Sequence, residues 1–465
     1  MVARQRRAQP PVEGDVHGFA ETFTHEERRH RRLLLEFPVR DAGTEAFVRP
    51  LRGAVWAVHG GGRMGCGIRE GTDMNEPAEL YHLDDMLSDE ERELQHRVRR
   101  FCDEKVVPVA NERWERAETM TDLLPGVVEL GILGGGTTGY GCAGLSPVAG
   151  GIVSLELARG DGSFCTVFGV HSGLAMGAIA TLGSEEQKQR WLPAMASLDM
   201  LGAFALTEPE HGSDVVALET RARRDGDTWV LDGRKRWIGL GDEADLVIVW
   251  ARDDDGDVGA FVVEHPDGGK LEGFRAEVIT GKIGRRAVLQ SSLWLDGIRI
   301  PAENRLAEAR SFKDTQRFLG HSRMGVAWEA VGHAEAAYTY ALRYVRQRTQ
   351  FGRSLSSFQL IQEKLARMLA EITGMRLMVM RMAQLAQEGR AAGPVASVAK
   401  MHCAATARKV CQDARDMMGG NGLLLENHVA RHLADVEVTY TYEGTDTVQA
   451  LIVGREITGT QAFVN

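Results

Sequence analysis

Three consecutive stretches towards the C-terminal end carry apolar residues at helical spacing for longer than an ordinary surface helix. The first covers residues 312–348, with Gly352 as its stop. The second opens at Ser356-Ser357-Phe358-Gln359, which has the spacing of a capping box, and runs to Gly389 with Leu360, Leu365, Leu369 and Ile372 on its apolar face. The third covers 394–418 and stops at Gly419-Gly420-Asn421-Gly422, where glycine supplies a left-handed cap and lets backbone approach a ligand closely. Helices of this length are stabilised mainly by packing along one another, so this part of the chain is expected to be a bundle. Met375, Met378, Met380 and Met382 are expected as flexible core filling.

Ahead of the bundle the apolar period changes. Thr228 to Ile238 places Asp232-Gly233 between two strand-like runs, a strong hairpin signal. Residues 244–250 look like a buried strand, Asp253 to Gly256 like a turn, and 259–263 like its partner; 293–301 closes the region with a further strand pair or bend. Short strands with turn signals predict a β-barrel or sandwich. Earlier still the chain is helical. Ser88-Asp89-Glu90-Glu91 and Ser184-Glu185-Glu186-Gln187 are capping boxes, and 123–133, 148–159 and 171–182 are helix-compatible. Gly134 to Gly141 lacks the spacing and the lysine of a phosphate loop and is expected to be a tight connection. The expected fold is therefore mainly α with a central β domain: helical over 76–201, β over 202–310, helical again over 311–465. Residues 1–75 are Arg-rich, broken by Pro10, Pro11 and Gly60-Gly61-Gly62, and too acidic for a transit peptide. They are expected to be a disordered extension, or to precede a start at Met74.

A net charge of −10 over 465 residues argues against general nucleic-acid binding. Six cysteines without a CxxC pair fit a reducing cytoplasm and neither a zinc site nor a disulfide framework, so no metal is expected. No run of eighteen apolar residues was found, and no membrane span is expected.

Two segments carry candidate chemistry. Phe204 to Asp214 offers hydroxyls at Thr207 and Ser213 and a glycine between them, donors for a ring carbonyl or a phosphate, or equally a turn leading into the β domain. Thr439 to Thr445 places Glu443 among aromatic rings and beside Gly444, surroundings that would desolvate a carboxylate and raise its pKa towards that of a general base.

Leu-Thr-Glu-Pro at 206–209, Arg-Thr-Gln-Phe-Gly at 348–352, Gly-Gly-Asn-Gly at 419–422 and Tyr-Glu-Gly-Thr at 442–445, in that order, resemble the acyl-CoA dehydrogenase superfamily over residues 74–465. Gly139 to Gly144 and Gly454 to Gly459 resemble its glutaryl-CoA dehydrogenase branch. Arg236 to Gly239, Tyr440 to Glu443 and Lys282 to Gly284 resemble the plant-type short-chain acyl-CoA oxidases. The resemblance implies a homotetramer with FAD bound between the β domain and the bundle. Phe204, Leu206, Thr207 and Ser213 would line the flavin, with Thr207 at its pyrimidine edge and Ser213 near the pyrophosphate. Trp237, Ile238 and Gly239 would cover the ring. Arg348, Phe351, Gln359, Asp416, Gly419 and Gly420 would hold the adenine half, from a neighbouring subunit, and Thr445 would touch the cofactor again. Glu443 would take the α-proton of an acyl-CoA thioester. Ser213, Gly444, Cys165 and Thr166 would border the substrate, and Arg286 its CoA end.

Two departures bear on substrate and acceptor. Cys165 stands where glutaryl-CoA enzymes carry the arginine that pairs with the distal carboxylate, and Ala158 where a nearby glutamate is expected, so a short or branched uncharged acyl chain is expected. Gly239 stands where most dehydrogenases of the superfamily hydrogen-bond flavin N5 through a threonine, which would open space for oxygen. A dehydrogenase using an electron-transfer flavoprotein is taken ahead of an oxidase using O2. A catalytically silent homologue and desaturation of a carrier-protein-bound acyl group stay open as well.

Overall fold

A computed structural model describes residues 80–265, 269–391 and 393–462, and the expected N-terminal extension lies outside them. The N-terminal part holds α1 (Asp89–Phe101), α2 (Val107–Arg116), α3 (Leu124–Leu130), α4 (Pro147–Gly160), α5 (Gly162–Phe168), α6 (Gly177–Leu182) and α7 (Glu185–Ala196). The capping boxes at Ser88 and Ser184 form as the sequence predicts: Ser88 Oγ accepts the Glu91 N–H at 3.2 Å, and Ser184 Oγ accepts the Gln187 N–H at 3.3 Å. Asp161 separates α4 from α5 because its carboxylate accepts the Phe164 N–H at 2.8 Å and so starts a new helix. From Gly162 to Leu182 the helix is continuous through a π segment, and it is the one described helix with the length and composition of a bilayer span. Most of it is buried inside the fold, against α4 and the β domain, as a core helix.

Seven strands follow: β1 (Gly202–Ala205), β2 (Arg221–Asp225), β3 (Thr228–Gly239), β4 (Leu246–Arg252), β5 (Val258–Glu264), β6 (Phe274–Val278) and β7 (Gln290–Pro301). Their order is β1-β4-β2-β3-β7-β6, with β5 on β4 and β1 parallel to β4. The expected hairpin at Asp232-Gly233 is not one. The chain turns earlier, at Gly226-Asp227 between β2 and β3, and β3 runs straight through the Asp-Gly pair. A second Asp-Gly, Asp296-Gly297, lies across from it on β7. Asp232 Oδ1 accepts the Gly297 N–H at 2.8 Å, and the register slips there from Leu231↔Ile298 to Gly233↔Leu295. The facing pairs thus become one bulge in a long ladder.

The C-terminal part holds α8 (Phe312–Gln347), a small hairpin of β8 (Thr349–Gln350) and β9 (Arg353–Ser354), α9 (Gln359–Gln387), α10 (Gly393–Met417), α11 (Val429–Thr441) and α12 (Asp446–Thr458). The expected capping box at 356–359 is absent: α9 starts at Gln359, and Ser357 Oγ donates to the Ser354 carbonyl at 2.7 Å instead. One core fills the space between α1–α5 and the sheet, through Val98, Phe164, Leu231 and Val249. A second runs through the bundle and α4, and a third joins α6 and α7 to the other side of the sheet.

Glycine sets the approach of α4 to α8. A Cβ at Gly332 would overlap the Leu155 carbonyl oxygen and stand 2.9 Å from Arg159 N, so backbone touches backbone where α8 carries its functional residues past α4. Gly332→Ala is expected to destabilise the chain by about 1–3 kcal/mol through overpacking, visible as a lowered midpoint of thermal or denaturant unfolding; an unchanged midpoint would contradict this packing.

Candidate active site

The link between α11 and α12 is left-handed at two successive residues, Glu443 (φ 54°) and Gly444 (φ 87°). Thr445 then caps α12, its Oγ1 accepting the Val448 N–H at 3.3 Å. This turn presents the half-buried Glu443 carboxylate to the N-terminal part of α8, where Ser322 Oγ donates to its Oε2 at 2.9 Å. Burial pushes the Glu443 carboxyl up from its usual range, while the Ser322 hydrogen bond, Arg323 and Lys400 act against that rise. The result is a carboxylate of raised basicity with a hydroxyl to steady it, the condition a general base needs.

Behind the turn lies a sealed polar cluster. Arg285, itself left-handed at φ 50° and buried, donates from its guanidinium to the Gly162 carbonyl, to Thr166 Oγ1 at 3.0 Å, to Thr439 Oγ1 at 2.7 Å and to Glu329. Glu329, on α8, also accepts from Thr439 Oγ1 at 2.7 Å and from the Tyr442 hydroxyl. Cys165 sits beside this cluster with its thiol donating to the Ser154 carbonyl at 3.6 Å, and burial pushes that thiol well up. Cys165, Thr166, Tyr442 and Glu443 are therefore brought together.

The β domain offers a second surface. Thr207 is half-buried just past β1, and its carbonyl accepts the Arg236 N–H at 2.9 Å, which ties it to β3. Below it, the buried Glu208 carboxylate takes the Thr220 N–H at 2.9 Å and the Lys235 ammonium at 2.8 Å, bracing the loop that leads to the exposed Ser213. Trp237 is held at φ 65° with its indole 52% exposed, next to the buried Ile238. Phe204 and Leu206 point the other way, into the core, where the Phe204 ring meets Phe318 at 5.6 Å. Gly239 does not open a void. A Cβ there would meet Val170 Cγ2 at 2.9 Å, so the glycine admits that side chain from the helical domain. A half-exposed indole at a strained backbone position, with the Arg236 guanidinium 5.4 Å from the ring centre and hydroxyls and main chain nearby, suits a flat heteroaromatic ring with a phosphate tail. These residues fit FAD.

The remaining expected cofactor residues lie elsewhere. Arg348, Phe351 and Gln359 are exposed around the β8–β9 hairpin, Phe351 by 92%, and Asp416, Gly419 and Gly420 are exposed at the end of α10, Asp416 being paired with Lys364. From Ser322 to Arg348 is 26 positions along α8, roughly 39 Å at the helical rise. Arg286 is occupied as well: its guanidinium donates to the Trp114 and Glu115 carbonyls at 3.0 and 2.9 Å, at the end of α2. Ser322, Arg285 and Glu329 carry no local sequence sign of their place in the site. Lys400 and Gln449 left a faint one, as polar residues on otherwise apolar helix faces.

A helical domain, a partly closed sheet and a helical bundle around such a carboxylate define a flavin-dependent acyl dehydrogenase. Family models described as acyl-CoA dehydrogenase N-terminal, middle and C-terminal domains match residues 88–199, 203–298 and 312–458. The bovine (Bos taurus) mitochondrial short-chain specific acyl-CoA dehydrogenase is 36% identical over 316 residues, 67% of this chain and 76% of that protein. Glutaryl-CoA dehydrogenase of Mycobacterium smegmatis in complex with FADH2 superposes with a TM-score of 0.80 at 36% identity, over 83% of this chain and 99% of that one. Butyryl-CoA dehydrogenase of Megasphaera elsdenii superposes with a TM-score of 0.75 at 33% identity, over 80% and 98%. The chain belongs to the acyl-CoA dehydrogenase family, an FAD enzyme acting on a CH–CH group.

Ser322→Ala removes a hydrogen bond that favours ionised Glu443, so its pKa rises further. A base works deprotonated, so with Glu443 in that role the acidic limb of the kcat/KM profile is expected to move to higher pH; a limb that stays in place would deny the bond any role in solution.

Proposed function

We propose that this chain dehydrogenates a short or branched, uncharged acyl-CoA to the trans-2-enoyl thioester, with Glu443 as the base. The observation that carries this is the half-buried Glu443 carboxylate held by Ser322 on a turn that no ordinary loop needs. Glu443 takes the α-proton as the α C–H bond breaks, and the β-hydrogen leaves as hydride. Bound FAD supplies the acceptor for that hydride. The Trp237 indole and the Thr207 hydroxyl would orient its ring system and the Ser213 hydroxyl would meet its pyrophosphate, while the side chains packed around Tyr442 would limit water. Glu443→Gln is expected to abolish turnover while flavin stays bound; near-normal activity in that variant would remove Glu443 from the role.

Support for an uncharged acyl group comes from Cys165 and from Arg285. A cation does stand near Thr166, but it belongs to Arg285 and is already neutralised by Glu329. At the Arg285 guanidinium a distal carboxylate would have to displace Glu329 or remain unpaired, and either is costly. Relatives are named for short-chain, butyryl and glutaryl substrates alike, so the substrate reading rests on these residues. The likeness to plant-type oxidases rests on sequence motifs alone, and Val170 fills the place where Gly239 would have admitted oxygen; an electron-transfer flavoprotein is thus the favoured acceptor. The purified holoenzyme is expected to turn over butyryl-CoA well ahead of glutaryl-CoA and to yield no stoichiometric hydrogen peroxide in air. Equal rates would overturn the substrate reading, and stoichiometric peroxide would make the chain an oxidase.

We infer a homotetramer in which a second copy supplies the adenine half; the exposure of Arg348 and Phe351 at the far end of α8, roughly 39 Å along the helix from Ser322, supports this. Buried, unpaired Cys102, Cys165, Cys403 and Cys411 favour a reducing cytoplasm.

A further inference from the structure

Lys400 and Gln449 take no part in the chemistry above, yet both are buried completely and both aim their donors at the turn that carries the base. Lys400, on α10, donates from Nζ to the Tyr440 carbonyl at 3.1 Å and to the Gly444 carbonyl at 2.8 Å. Gln449, in α12, donates from Nε2 to the Glu443 carbonyl at 2.9 Å and to the Gly444 carbonyl at 3.0 Å. Three of these four bonds grip the two left-handed residues, and the fourth grips the last turn of α11. Such backbone persists only where its surroundings over-determine it, and three hydrogen bonds from two helices do that. The fit is close: a Cβ on Gly444 would meet Gln449 Nε2 at 2.5 Å.

We propose that Lys400 and Gln449 are positioning residues for the dehydrogenation: together they lock the Glu443–Gly444 main chain, and Lys400 adds a positive charge behind the Glu443 carboxylate. This rests on Glu443 being the base. The charged groups facing Lys400 are Glu443 and Asp446 at the start of α12, and Glu329 and Arg323 from α8. Burial pushes Lys400 down to about 8, with the three carboxylates opposing and Arg323 adding to the fall, so the ammonium is retained at neutral pH. The two residues then divide the work. Gln449 acts through hydrogen bonds alone, whereas Lys400 acts through hydrogen bonds and through its field on Glu443.

That division sets the test. In the full-length holoenzyme, Lys400→Met and Gln449→Met are each expected to lose kcat on the order of 10²-fold, the scale for a misplaced reacting group, with KM for butyryl-CoA and flavin content unchanged. Only Lys400→Met should also move the acidic limb of the pH profile to higher pH, because only it removes a charge that favours the carboxylate. Wild-type kcat in both variants overturns the proposal, and so does a loss in Lys400→Met with the acidic limb unmoved, which would mark mere packing. Should Lys400→Met not fold, Gln449→Met decides alone: wild-type kcat overturns the clamp, and a lost kcat at normal KM supports it. Glu443→Gln measured alongside keeps two failures apart. Full turnover there defeats the base itself, while an inactive Glu443→Gln with unaffected clamp variants defeats only the clamp.

Discussion

A guanidinium and a carboxylate sealed together between three parts of the chain organise this site. Arg285 comes from the connection between β6 and β7, Glu329 from α8, and their shared neighbours from α5 and α11. Removing one member would leave an unpaired buried charge, at a cost of about 3–5 kcal/mol. The same principle says that such a pair, taken whole, adds little net stability. Its contribution here is geometric, because Glu329 anchors the hydroxyl of Tyr442, the residue before Glu443. The histidines alongside are consistent with this. His333 and His432 meet Nδ1 to Nδ1 at 2.9 Å, and burial with the nearby arginines pushes both well below the usual imidazole range, so neither adds charge to the cluster.

Much of the fold was legible because its signals are local. Helical period and serine capping boxes placed α1, α4 and α7–α10 within a few residues, and the change of period marked the β domain. The misreadings share a cause. Asp232-Gly233 is a good turn sequence, but Asp296-Gly297 faces it on β7, and pairing between distant strands converted both into a bulge. Ser356 and Gln359 have capping-box spacing, but a short helical turn over Leu355–Ser357 takes up Ser356 and Gln359 becomes the first residue of α9.

The site divides in the same way. Glu443 stands out by motif, since its neighbours in sequence carry the resemblance. What tunes it came from residues 121 positions earlier at Ser322 and 43 positions earlier at Lys400, and no spacing rule connects such pairs. Gly239 shows the limit from the other side. Its lack of a side chain suggested an opening, and only the packing of Val170 reveals that the space is filled.

The left-handed backbone at Glu443 has an evolutionary consequence. A residue with a side chain in that conformation carries on the order of 1–3 kcal/mol of strain, and glycine in its place would relieve it while also removing a half-buried acid. With Glu443 as the proposed base, stability and turnover pull this position in opposite directions. A duplicated copy of the gene, freed from the need to react, would gain stability by surrendering Glu443, so the carboxylate is among the first features such a copy would discard.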